Sequence, residues 1–165
     1  SLRSFRVSEE AKREFFEAAH AQAHLPEDLT FVPIDLDMDQ TVGIYGRNEL
    51  YEFSVLAGRL NPTEEEIIEY LRSGDTGIPL VDRHGLARLS PQATSVPPIK
   101  GNGMQAAKYW TGRTKDGKEF RVGLMPREDG AGSYMMMMSG EAKVVEDSDD
   151  LFDSLYEGFK ALPSK

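Results

Sequence analysis

Residues 108–125 read KYWTGRTKDGKEFRVGLM, and this stretch decides the fold class. Asp116-Gly117 is a preferred pair for the centre of a type I′ turn, so the segment reads as a β-hairpin. Counting outwards from that turn, Lys115 faces Lys118, Arg113 faces Phe120, Thr111 faces Val122 and Tyr109 faces Leu124. This register puts Phe120, Val122 and Leu124 on one face, toward a core. It sets Trp110 opposite Gly123 on the other face, beside Arg121, where an aromatic ring covers bare strand backbone.

Working outward, Tyr134 to Ser139 reads as a third strand of the same sheet. Its unbroken run Met135-Met136-Met137-Met138 predicts burial on both faces or a sheltered partner groove. Upstream, Leu29 to Leu36 and Thr41 to Tyr45 read as strands, and Asn48 to Leu56 is open between strand and helix. Pro79 to Val81 and Leu86 to Leu89 read as apolar runs around a turn at Asp82-Arg83-His84-Gly85. Ser90 to Gly103, rich in Pro, Gly, Ser and Thr, reads as a loop.

Helices frame these strands. Ser8 is placed as an N-cap with Glu9 and Glu10 in the first turn, and Ala11, Phe15, Ala18 and Ala19 form an apolar stripe that runs to about Ala23. Thr63 with Glu66 three residues on is a capping box, followed by Ile67, Ile68 and Leu71 and closed by Gly74. A last helix is capped near Ser148, carries Leu151, Leu155, Tyr156 and Phe159 at helical spacing, and stops at Pro163. The fold class is therefore α+β: a mostly antiparallel sheet of five or more strands, with N- and C-terminal helices on one face and one internal helix. A chain of 165 residues makes this a single domain, 1–165.

Charge is sorted along the chain. From Arg83 to Arg127 nine Lys or Arg stand against two acids, whereas the whole chain carries −9. The middle is thus +7 and the remainder −16, an opposition that speaks of partners. The acidic total argues against a general nucleic-acid binder. An apolar fraction of 39% and a mean hydropathy of −0.46 fit a soluble chain, with no signal peptide or membrane span visible. The absence of cysteine removes disulfides, thiolate nucleophiles and sulfur-based zinc sites.

Four groups of residues carry chemistry. Lys100-Gly101-Asn102-Gly103 can turn backbone N–H groups toward an anion. Together with Trp110, Arg113, Lys115, Lys118 and Arg121 it forms a basic, aromatic-bearing sheet face that suits either an anion or, in the competing reading, the chain's own acidic helices or an acidic protein partner. Glu17, His20 and His24, at i, i+3 and i+7 on the first helix, place three potential ligands for Zn²⁺ or another divalent ion on one face. His84, beside Asp82, is a lone imidazole in a turn, with no serine in a nucleophile context to complete a triad.

The fourth group is Asp35, Asp37 and Asp39. An EF-hand is excluded because Gln40 replaces the glycine and Gly46 replaces the bidentate glutamate. Asp37-Met38-Asp39-Gln40-Thr41-Val42 resembles the nucleophile motif of the haloacid-dehalogenase-like phosphatases. That resemblance implies Asp37 as nucleophile, Asp39 as general acid and a bound Mg²⁺. The chain departs from that family in having a helix before the motif and no alternating βα units after it. The reading that covers more of the chain is a non-enzymatic protein-binding module of chaperone, adaptor or immunity type. It needs no cofactor and takes a protein partner bearing an acidic patch. The alternative is a metal-dependent phosphoester hydrolase using Asp37 and Asp39.

Overall fold

The methionine run lies in the strand Ser133–Gly140, and every residue of that strand is buried. Alternate side chains of a strand point to opposite faces. Met136 and Met138 accordingly join one core cluster, while Met135 and Met137 join a second on the other side of the sheet. A strand that is apolar on both faces belongs in the middle of a covered sheet, and this one does.

The computed structural model describes residues 1–35, 40–77, 79–90, 92–147 and 149–163. Along the chain they form α1 (Leu2–Ala19), β1 (Ala21–Gln22), β2 (Thr30–Ile34), β3 (Val42–Arg47), β4 (Tyr51–Gly58), α2 (Glu64–Arg72) and α3 (Pro79–His84). Then follow β5 (Leu86–Leu89), β6 (Thr94–Val96), β7 (Ala107–Thr114), β8 (Glu119–Pro126), β9 (Ser133–Gly140), α4 (Ala142–Glu146), α5 (Asp149–Gly158) and β10 (Lys160–Ala161). Eight strands make one sheet in the order β2-β3-β4-β9-β8-β7-β5, with β6 also paired to β7. Its described pairings are antiparallel. The expected α+β class, with terminal helices and an internal one around an antiparallel sheet, is what the chain adopts.

The two sheet faces are covered differently. On the first, Ala11, Phe15 and Ala19 of α1 and Phe152, Leu155 and Tyr156 of α5 pack against Phe31, Ile44, Phe53, Val55 and Tyr134. On the second, Ile67 and Leu71 of α2 and Val81 of α3 pack against Leu56, Leu89, Trp110, Phe120, Val122 and Leu124. The Thr63 capping box forms as expected: the Thr63 hydroxyl accepts from the Glu66 amide at 3.2 Å and Glu66 accepts from the Thr63 amide at 3.1 Å. Among the described residues, no helix is long and apolar enough to cross a membrane.

Three local readings are corrected. Ser8 is not a cap: α1 begins at Leu2 with Ser1 as its N-cap, and Ser8 is buried inside the helix. The helix also ends early, at Ala19, where His20 takes a left-handed conformation at φ 51°. Pro79 to His84 is a helical turn instead of an apolar run followed by a turn. Pro79 occupies its first position, where a missing N–H costs nothing, and Gly85 ends it at φ 66°. The expected cap near Ser148 lies outside the described residues.

Candidate functional site

The hairpin that organises the basic stretch is closed differently from a two-residue turn. The Thr114 amide donates to the Lys118 carbonyl at 2.9 Å, and the Gly117 amide donates to the Thr114 carbonyl at 3.1 Å. The Thr114 hydroxyl also accepts from the Lys118 amide at 3.0 Å. Three residues therefore make the loop, with Gly117 at φ 83°, a turn followed by a left-handed glycine. The pairing shifts by one: Arg113 faces Glu119, Thr111 faces Arg121, and Trp110 faces Val122.

A shift of one residue moves side chains to the other face. Trp110 consequently joins Phe120, Val122 and Leu124 in the second core and is 1% exposed. It is corrected from a partner-facing residue to a core residue. The ring that covers the bare backbone at Gly123 belongs instead to Tyr109. A Cβ placed on Gly123 would meet the Tyr109 ring at 2.8 Å. Tyr109 also stacks edge-on against Phe152 and Tyr156 of α5, and burial raises its phenol pKa.

The remaining predicted basic residues separate into groups. Arg113 and Arg121 share the first face of the sheet. Arg113 is exposed and pairs with Glu119 at 2.9 Å, whereas Arg121 is half-buried with its guanidinium 5.6 Å from the Phe152 ring centre. Lys115 lies on the turn, where its amide donates to the Gly85 carbonyl at 3.1 Å. Lys118 follows the turn and lines a cleft with Arg47 and Arg83. Lys100 is exposed in the loop before the Met104–Arg127 bridge, at the end of β8 away from the hairpin.

Arg88 completes a strip that sequence reading did not single out. It stands directly opposite Arg113 in the β5–β7 pairing. Leu89 next to it is buried in the second core, so Arg88 points to the first face with Arg113. Arg88, Thr111 and Arg113 are all exposed there. Among the described residues Arg88 has no carboxylate partner. Like charges directly opposite on neighbouring strands are destabilising.

The acids of α1 do not neutralise this strip. Glu9 pairs with Lys12 at 2.6 Å, and Glu10 and Glu17 pair with Arg13 at 2.5 and 3.3 Å, all within the helix. Lys108 is engaged by Glu64 at 2.7 Å. Arg83 reaches from α3 to Glu52 at 2.5 Å and to the Tyr45 hydroxyl at 2.9 Å. Tyr45 in turn donates to Glu52, and burial followed by that carboxylate raises the Tyr45 pKa.

The three-residue metal face is not assembled as expected. Glu17 lies within α1, His20 is its left-handed cap, and His24 falls beyond β1. The helical repeat that would align the three is broken at Ala19. Among the described residues, no group of three or more His, Asp or Glu is placed to hold a metal ion. Asp37 and Asp39 lie outside the described residues, as does the side chain of His84.

No protein-family model matches the chain, and no curated protein matches it. Among solved structures, a point mutant of protein Mog1 is similar at a TM-score of 0.47 and 10% identity, over 88% of this chain and 92% of that one. LpqN, described as involved in cell envelope biogenesis of Mycobacterium tuberculosis, is similar at a TM-score of 0.35 and 8% identity, over 87% and 83% of the two chains.

Proposed function

We propose that this chain is a non-enzymatic protein-binding module whose basic strip takes an acidic segment of a partner protein. The observation that carries the reading is the Arg88–Arg113 pair, two like charges set face to face on neighbouring strands. Such a pair lowers the stability of the free sheet, and a row of carboxylates laid across β5 and β7 would relieve it. Arg113 is half satisfied by Glu119, while Arg121 holds the inner end of the strip against Phe152. Opposed charge of this kind contributes to encounter rate and orientation more than to affinity.

The probe that tests it is a fluorescein-labelled decaglutamate peptide, followed by anisotropy. Binding that weakens with added salt and is lost in Arg88→Glu/Arg113→Glu supports the reading, because exposed charges are screened within a Debye length. Binding that ignores both changes overturns it. So does turnover of a generic phosphoester that Asp37→Asn abolishes, since that outcome belongs to the hydrolase reading with Asp37 and Asp39 as its catalytic pair.

A further inference from the structure

A second basic feature lies on the opposite face of the sheet, at the end closed by the hairpin. There the C-terminal ends of β3 and β9, the start of β4, the first residue after the hairpin turn and the last turn of α3 surround a cleft of about 460 Å³. Its lining includes Arg47, Glu52, Arg83, Lys118, Ser139 and Gly140. That volume falls within the range of small-molecule sites.

We propose that this cleft binds a carboxylate group, presented by a small acid or by the free end of a peptide. Its charge is arranged for one. Glu52 is already satisfied, since it takes both the Tyr45 hydroxyl and the Arg83 guanidinium. Arg47 stands opposite Glu52 across β3–β4, yet among the described residues neither Arg47 nor Lys118 makes an ion pair. Two cations unpaired among the described residues thus border a cleft whose half-buried acid, Glu52, is occupied. Glu49 is exposed on the β3–β4 turn, at the mouth.

The independent observation is Ser139. It is 1% exposed, lines the cleft, and its hydroxyl has no hydrogen-bond partner among the described residues. Ser54, the diagonal neighbour of Ser139 across β4–β9, is fully buried, and its hydroxyl is likewise unpartnered among the described residues. Buried hydroxyls are almost always satisfied, and an orphan asks for an explanation. A hydroxyl donor that shares the cleft lining with two cations calls for an anionic acceptor. A carboxylate has two coplanar oxygens, one for a guanidinium or ammonium and one for the hydroxyl. The Ser139 oxygen is closed to bulk water, so contact requires the rim side chains to part. This inference does not rest on the Arg88–Arg113 strip, which lies on the other face.

The test is an amide-resonance titration of the intact chain at matched ionic strength with four probes. They are glutarate, an acetylated tetra-alanine peptide with a free C-terminus, the same peptide amidated, and inorganic phosphate. Saturable shifts at Lys118, Ser139 and Gly140 with glutarate or the free-acid peptide support the proposal, and which of the two binds names the source. Arg47→Gln/Lys118→Gln should weaken binding about tenfold or more, and Ser139→Ala about tenfold. Ser139→Ala removes no existing hydrogen bond, so its melting temperature should hold while its affinity falls, which a merely structural serine would not produce. Arg88→Glu should leave this binding unchanged even where it abolishes decaglutamate binding. The proposal is overturned if no carboxylate saturates, if phosphate or the amidated peptide binds equally well, or if the three cleft substitutions change nothing.

Discussion

The Ser8 hydroxyl, in the middle of the first helix, accepts the backbone amide of Phe31 at 2.9 Å. Phe31 lies on β2, the outermost strand on that side of the sheet, and exposed strand edges invite pairing with other chains. In an antiparallel strand alternate residues present their amides outward. Phe31 is one such residue and Pro33 is the next, and proline has no amide to present. Helix and proline together leave this edge without a free donor at either position, which argues against strand addition here.

Removing the Ser8 hydroxyl should therefore expose the device. Both residues are buried, so Ser8→Ala leaves a sealed amide unsatisfied and should cost about 1–3 kcal/mol in a urea melt. Hydrogen exchange at Phe31 should accelerate in the variant. An unchanged melt with unchanged exchange would mean that water replaces the hydroxyl at no cost.

Trp110 is the chain's single tryptophan, which makes its burial directly measurable. Its emission in the folded protein should be blue-shifted and resistant to iodide quenching, then shift red on unfolding. Trp110→Ala should cost about 3–5 kcal/mol through the cavity left among Phe120, Val122 and Leu124. Ready quenching in the native state would place the ring on the surface and restore the two-residue turn.

That single turn residue explains much of what was legible in the chain and what was not. The hairpin, the capping box at Thr63 and the buried methionine strand rest on local chemistry, and each forms. The faces of Trp110 and Tyr109 depend on whether Thr114 or Lys115 closes the loop, and Thr114 wins because its hydroxyl captures the Lys118 amide. Ser8 followed by two glutamates has the composition of a helix start. Its burial against β2 comes from tertiary contact, which composition does not encode. Pro79 to His84 shows the ambiguity of short apolar runs, which periodicity alone does not assign. The cleft residues Arg47, Glu52 and Ser139 come from three strands, and only their register brings them together.

Arg127 ties three parts of the chain and should govern acid stability. Although 6% exposed, it donates to Asp129 at 3.0 and 2.8 Å, to the Tyr134 hydroxyl at 2.6 Å, to the His20 carbonyl at 3.3 Å and to the Leu162 carbonyl at 2.5 Å. The guanidinium holds the Asp129 carboxyl down to about 2, from an ordinary 3.8. A depressed carboxyl stabilises the fold fully above its unfolded pKa and loses that contribution as pH falls through the folded one. The stability gap between wild type and Asp129→Asn should thus be widest above pH 3.8 and close toward pH 2, modestly, because Asp129 is 43% exposed. A gap that stays constant across that window would show that the pair adds nothing to folding.

The like-charge pair at Arg88 and Arg113 makes the sharpest prediction, because stability and binding should move in opposite directions. Arg88→Glu places a carboxylate directly opposite Arg113 across β5–β7. Opposite charges at such positions contribute about 0.2–1 kcal/mol, where like charges oppose folding. The variant should melt at the same temperature as wild type or higher, with its gain shrinking in high salt. Its affinity for decaglutamate should fall, since the strip has lost a cation and gained an acid. By contrast, Arg121→Glu should destabilise, because that side chain is half-buried against Phe152. If Arg88→Glu loses stability as well, Arg88 is held by contacts within the fold, and the strip is architecture instead of a binding surface.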